Sequence, residues 1–188
     1  GPVDAVKAVA AVLRYRFWDT QFTDHSGFYI LSAMARAKRY NRWILDQVAP
    51  YLGRRVLEAG SGTGNLSSLL LQRERLVLAD YDPAYTAALN RRFGARRNVR
   101  VDQADLADPR PYESWKAERL DTIFCSNVLE HLEADEDVLK RFWQTLTPGG
   151  HCILVVPAGK WLYTSLDEEL GHFRRYSRDE LSRKMAAA

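Results

Sequence analysis

From residue 54 onward, short apolar runs alternate with segments of helical period, and this alternation restricts the fold more than any other feature. Strands are predicted at 55–59 (RVLEA), 75–80 (RLVLAD), 99–105 (VRVDQAD), 120–127 (LDTIFCSN) and 151–157 (HCILVVP). Between them the spacing predicts helices over about 64–73, from Pro83 to Gly94, and over about 133–146. The last of these is expected to bury Val138, Leu139, Phe142, Trp143 and Leu146. Strands separated by helices imply right-handed crossovers and a parallel sheet covered on both faces. The expected fold class is therefore α/β, a doubly wound and mostly parallel sheet.

Ahead of this unit, Val6, Val9, Ala10, Leu13 and Phe17 lie at helical spacing over 3–18. A longer helix over roughly 28–49 carries Ala33, Met34, Ala37, Tyr40, Ile44, Leu45 and Val48 on one side, and Pro50 stops it. Residues 1–53 thus read as a helical segment, and 54–188 as the sheet domain. Ser177 to Glu180 forms the S-x-x-E pattern of a capping box and opens a final helix over about 178–187. Gly1 and Pro2 read as a protease-cleavage remnant and carry no fold information.

Composition narrows the class. The chain has 188 residues, 46% of them hydrophobic, enough for one domain with a sizeable core. Its longest apolar run, CILVVPA at 152–158, has the length of a strand, so no membrane span is expected. The formal charge of +3 is mild. The basic groups Arg36, Lys38, Arg39, Arg42 and Arg91, Arg92, Arg96, Arg97 fall on or just after predicted helices, as solvated faces do, and no nucleic-acid partner is expected. Cys125 and Cys152 both sit in predicted strands; buried thiols suit a reducing compartment, and the expected location is cytoplasmic. Their spacing matches no metal motif, and no metal site is expected.

The most informative stretch is VLEAGSGTGNLS at 56–67. Gly60, Gly62 and Gly64 stand at alternate positions where a strand turns into a helix, which permits positive φ and close approach of backbone to a ligand. A dinucleotide fingerprint needs a glycine at position 65, which is Asn65. Instead Glu58 precedes the turn. A carboxylate there is a poor neighbour for a pyrophosphate and a good one for an ammonium or a sulfonium. The second strand ends in Asp80, which in a doubly wound sheet lies beside the glycine turn and is placed to accept from both hydroxyls of a ribose. Asp82, just before Pro83, reads as a helix N-cap.

With these features in order, residues 54–157 resemble the class I S-adenosylmethionine (SAM) dependent methyltransferases. ADYDP at 79–83 is similar to that family's second motif, QADLAD at 103–108 to its third, LDTIFCSNVLEHL at 120–132 to its fourth and LTPGGHCILVVP at 146–157 to its fifth. The resemblance implies a Rossmann-like fold with SAM as cofactor and S-adenosylhomocysteine as product. It implies a cofactor site of Glu58, Gly60, Ser61, Gly62, Gly64 and Asn65, with Asp80 and Tyr81 at the ribose, Asp105 and Leu106 at the adenine, and Asn127 and Val128 beside them.

The reaction implied is direct methyl transfer to an acceptor. Its acceptor side offers Glu130 and His131 after the fourth strand, and His172 further on, as groups able to take a proton; His131 and His172 are the catalytic candidates. No N-P-P-Y, D-P-P-Y or Pro-Cys pattern marks a nucleic-acid base as acceptor, so a small molecule (a lipid, a sugar or a natural-product intermediate) is expected. The other readings are a non-catalytic SAM-fold binding or scaffold module, a protein or RNA methyltransferase, and a nicotinamide oxidoreductase, against which Asn65 argues.

GHFRRYSRDEL at 171–181 resembles a bacterial subgroup of these enzymes. Arg174 and Arg175 either grip an anionic acceptor or pair with Asp167, Glu168 and Glu169; the latter is the favoured expectation. Tyr15, Trp18, Phe22, Phe28 and Tyr29 are candidates for a lid. The family's strands six and seven are missing, which would leave the fourth strand near an open edge. The chain reads as C-terminally truncated, as part of a longer protein, or as one whose sheet another chain completes.

Overall fold

The computed structural model describes residues 36–188. The helix expected over 3–18, the start of that expected over 28–49 and the five lid candidates lie outside the described residues. The order of elements is α1 (Lys38–Val48), β1 (Arg55–Ala59), α2 (Ser67–Leu70), β2 (Arg75–Asp80), α3 (Pro83–Phe93), β3 (Val99–Gln103), α4 (Arg110–Ala117), β4 (Thr122–Ser126), α5 (Asp135–Thr145), β5 (His151–Val155), α6 (Ser165–Glu169) and α7 (Arg178–Ala187).

The five strands form one sheet in the order β3-β2-β1-β4-β5, and every pairing is parallel. This is the doubly wound α/β sheet expected. Because side chains alternate across the pleat, Val56, Leu76, Leu78, Phe124 and Ile153 face Ile44, Leu45 and Val48 of α1 and Leu89 and Phe93 of α3. Leu57, Val77, Ala79, Ile123 and Cys125 face Tyr112 and Trp115 of α4 and Val138, Leu139 and Phe142 of α5. β1, β2 and β4 are covered on both sides, the condition of interior parallel strands.

Several expectations are corrected. The helix expected over 64–73 is the single turn of α2, because most of that stretch is the glycine turn and its return to β2. α4 is not expected from the sequence: it carries Pro111 in its first turn, and only two of its side chains are buried. Those two, Tyr112 and Trp115, stand one turn apart and dock on the α5 side of the sheet, where Tyr112 also meets Phe142. Trp143 is 63% exposed, because a residue next to inward-facing Phe142 is rotated about 100° away from the core. Among the described residues the edge strands are β3 and β5, and β4, as expected near an edge, stands one strand in from β5, whose residues are mostly half-exposed. Cys152, on that edge strand, is only partly covered.

The C-terminal part closes over the end of β4. Ala158 bridges Tyr176, and Tyr176 OH donates to Leu129 O and to Asp135 Oδ2. Asp135, at the start of α5, also receives Arg174 at 3.0 Å and Lys184 at 2.8 Å. α6 opens with a full capping box in which Thr164 and Asp167 satisfy each other's backbone. At α7, Ser177 caps Glu180 N as expected, and the Glu180 carboxylate pairs with Lys160.

Candidate functional site

The strand order reverses at the β1/β4 boundary, and in open α/β sheets the crevice at the carboxyl ends there is the ligand site. Gly60, Gly62 and Gly64 fill the loop after β1 with φ of 78°, 52° and 81°, the left-handed region that glycine adopts without strain. A Cβ on Gly60 would overlap Val128 Cγ2, so the loops after β1 and β4 touch at that point. Gly60 N and Ser61 N donate to Ala79 O at 2.8 and 2.9 Å, which pins the turn to the end of β2. The Arg92 guanidinium holds it from the other side through Thr63 O.

Asp80 completes this arrangement. Its Oδ2 accepts from Gly62 N at 2.7 Å and its Oδ1 from Asp82 N at 3.0 Å. A carboxylate offers about four acceptor sites, so roughly two remain for ligand hydroxyls. Burial raises its pKa above the ordinary value, against the pull of these backbone donors. Asp82 caps α3 through Ala84 N at 2.7 Å, as the sequence suggested. Glu58 lies beneath the turn, 4% exposed, and accepts from Ser67 Oγ at 2.5 Å. Burial, with Asp80 nearby, pushes its carboxyl up to about 8 although the Ser67 hydroxyl works against the shift. A cationic group beside these two acids would oppose the upward shift, because an opposite charge favours the ionised carboxylate.

The remaining candidates occupy the neighbouring strand ends. Tyr81 is exposed after β2. Asp105 is exposed after β3, with its Oδ1 accepting from Ala107 N, and Leu106 is buried against the core. Asn127 follows β4 with φ of 53°, a left-handed conformation that Asn tolerates, and Val128 abuts the glycine turn. Asn65 sits half-buried in the loop after Gly64.

The structure also brings together the acceptor-side candidates, which are far apart in the chain. The rings of His131 and His172 meet edge to face with centroids 4.6 Å apart. Glu130 lies beside them, fully buried, and neither carboxylate oxygen has a hydrogen-bond partner. Burial pushes its carboxyl up to about 7. Glu130, His131 and His172 each offer a ligand atom within 4.8 Å of the others. His172 Nδ1 lies 3.0 Å from Asp167 Oδ1, and Arg175 Nε donates to the same oxygen at 2.7 Å. The arginine pair is thus tied down, Arg175 by Asp167 as expected and Arg174 by Asp135 instead of the acidic run. Sequence reasoning missed Ser67 and the ring-orienting role of Asp167, since neither stands at a motif spacing from its partner.

Comparison with known proteins agrees with this geometry. Residues 57–152 match the family described as a methyltransferase domain. An uncharacterised methyltransferase of Geobacillus kaustophilus is 35% identical over 119 residues, covering 61% of this chain and 51% of that protein. A probable polyketide synthase 29 of Dictyostelium discoideum is 27% identical over 148 residues, covering 65% of this chain but only 5% of the synthase. The N-methyltransferase NodS of Bradyrhizobium japonicum, solved with S-adenosylhomocysteine, superposes with a TM-score of 0.61 at 18% identity, over 82% of this chain and 74% of that one. The match to the family extends over half of the sequence and contains the glycine turn, Asp80 and the Glu130-His131 pair: the chain belongs to the methyltransferase domain family.

Proposed function

We propose that this chain binds SAM in the crevice at the carboxyl ends of β1, β2 and β4 and transfers its methyl group to a small-molecule acceptor. The observation that carries the reading is the Asp80 carboxylate bonded to the Gly62 amide, with buried Glu58 beneath the same turn. That pair gives a ribose-binding acid next to a second acid suited to a cationic amino-acid moiety. NodS, solved with S-adenosylhomocysteine, shares the fold and supports this cofactor.

When bound, the cofactor supplies an activated methyl group on a good leaving group. The protein's part is then mainly orientation and exclusion of water. Asp80 orients the ribose, Asp105 and Leu106 receive the adenine, and Gly60, Ser61, Gly62, Gly64 and Asn65 let the backbone close on the amino-acid end. Asn127 and Val128 line the approach from β4. The acceptor side is formed by His131 and His172 with Glu130, the groups there able to handle an acceptor's proton. The closed C-terminal segment, tied through Asp135 and Asp167, holds His172 at that place.

A lipid, a sugar or a natural-product intermediate is the acceptor class in this reading, and the polyketide synthases among the relatives favour the last. Calorimetric titration with SAM and S-adenosylhomocysteine tests the cofactor site. Micromolar binding by the parent chain that Asp80→Ala removes supports it; absence of binding by the folded parent refutes it.

A further inference from the structure

We infer that Glu130, His131 and His172 form a binding site for one divalent transition-metal ion of the zinc class. Three observations converge. The first is ligand chemistry: two imidazoles and one carboxylate, each with a ligand atom within 4.8 Å of the others, match a donor set that such ions take readily. The second is the state of Glu130. It is fully buried, yet both of its oxygens lack a hydrogen-bond partner, a costly arrangement that an ion would relieve.

The third is the surroundings of the rings. His172 Nδ1 faces Asp167 Oδ1 at 3.0 Å, which leaves Nε2 as the free ligand atom. The His131 ring, through Nδ1, lies against Gly171, immediately before His172. A metal-ligating histidine usually has its other ring nitrogen held by a carboxylate or a carbonyl, as Asp167 holds His172. Asp167 is itself fixed, 1% exposed, by Arg175 and by the Thr164 amide.

The ligand atoms must draw in from 4.8 Å to roughly 3.4 Å, the spacing expected around tetrahedral zinc, a change within reach of side-chain rotation. The Phe173 amide donates to Glu130 O at 2.8 Å, so the two segments already run side by side and need not approach further. Occupation would clamp the segment around His172 to the end of β4. The inference concerns the ligand of this cluster: with the ion bound, Glu130, His131 and His172 act as its ligands in place of proton acceptors, and the proposed cofactor site at Asp80 is left as it is.

The test is titration of chelator-stripped protein with Zn2+, followed by calorimetry and by the imidazole signals in proton NMR. The expected result is one equivalent bound, with the signals of His131 and His172 shifting while that of His151 stays in place. Glu130→Gln, of the same shape, is expected to abolish stoichiometric binding, and Asp167→Asn to weaken it by about 10- to 100-fold. Co2+ in place of Zn2+ is expected to show the visible absorption of a low-symmetry site. Unmoved His131 and His172 signals in the parent protein would overturn the inference, as would Zn2+ affinity unchanged in a folded Glu130→Gln variant. The NMR measurement needs no variant, so a substitution that unfolds the chain does not obscure the answer.

Discussion

Ser67 Oγ lies 2.5 Å from Glu58 Oε2 inside the glycine turn, and this hydrogen bond is made to a carboxyl that burial keeps protonated through neutral pH. The unfolded chain titrates Glu58 near the ordinary 4.5, whereas the folded chain does so near 8. Between those values the folded state holds a proton that the unfolded state has lost. Glu58 therefore destabilises the fold progressively as pH rises through that window, by at most about 1.4 kcal/mol per pH unit. Glu58→Gln, which has no proton to lose, is expected to flatten that part of the stability–pH curve. Urea unfolding of both proteins at pH 5, 6, 7 and 8 checks it; parallel curves would remove Glu58 as the source.

The same acid bears on the proposed cofactor. A cationic ligand beside Glu58 favours the ionised carboxylate, so SAM binding at pH 7 is expected to release a proton. Calorimetry in two buffers of different ionisation enthalpy reads that release directly. Equal heats in both buffers would mean that Glu58 keeps its proton and does not face the ligand's charge.

Gly60 has φ of 78°, and a Cβ there would overlap Val128 Cγ2. Gly60→Ala is expected to cost about 1–3 kcal/mol from backbone strain alone, with further cost from the contact with Val128. Denaturant unfolding measures it. A neutral substitution would show that the loops after β1 and β4 do not touch in solution.

Asp80 buttresses Gly62, and in the proposed complex its remaining acceptor sites take a ribose. Loss of two hydrogen bonds to a charged acceptor corresponds to about 3 kcal/mol or more, or roughly a 100-fold weaker Kd for S-adenosylhomocysteine in Asp80→Ala. Asp105→Ala, at an exposed position with one backbone bond, is expected to weaken it much less. Equal losses in the two variants would point to a general loosening of the crevice.

Asp135 accepts from Tyr176, Arg174 and Lys184 and is 2% exposed. Removing the carboxylate in Asp135→Ala takes a shared, buried acceptor from Tyr176, Arg174 and Lys184, which keep only Leu129 O, Glu133 O and the exposed Glu136 as partners. The cations retain some solvent access, so the expected cost is about 2–4 kcal/mol, below the upper range for a fully buried pair. A thermal melt compares it with Glu136→Ala, whose exposed contact to Lys184 is expected to contribute little.

The local patterns that the sequence carries proved sufficient for the sheet. β1, β2, α3 and α7 stand where period and capping put them, because their signals (apolar runs, Asp82-Pro83, Ser177) act over a few neighbouring residues. The contact of the glycine turn with Asp80 was legible for the same reason: both lie at the ends of adjacent strands. Elements whose existence depends on distant partners were not legible. α4 forms on two aromatic residues that dock beside α5, and Trp143 faces solvent because the helix phase is set by Phe142. Which strands form the two edges follows from sheet order, which pairs β1 with β4 across a crossover. Only the tertiary structure decided that His172 meets Glu130 and His131. The closed segment folds back over β4 through Tyr176 and Asp135, contacts between residues that no local pattern in the chain connects.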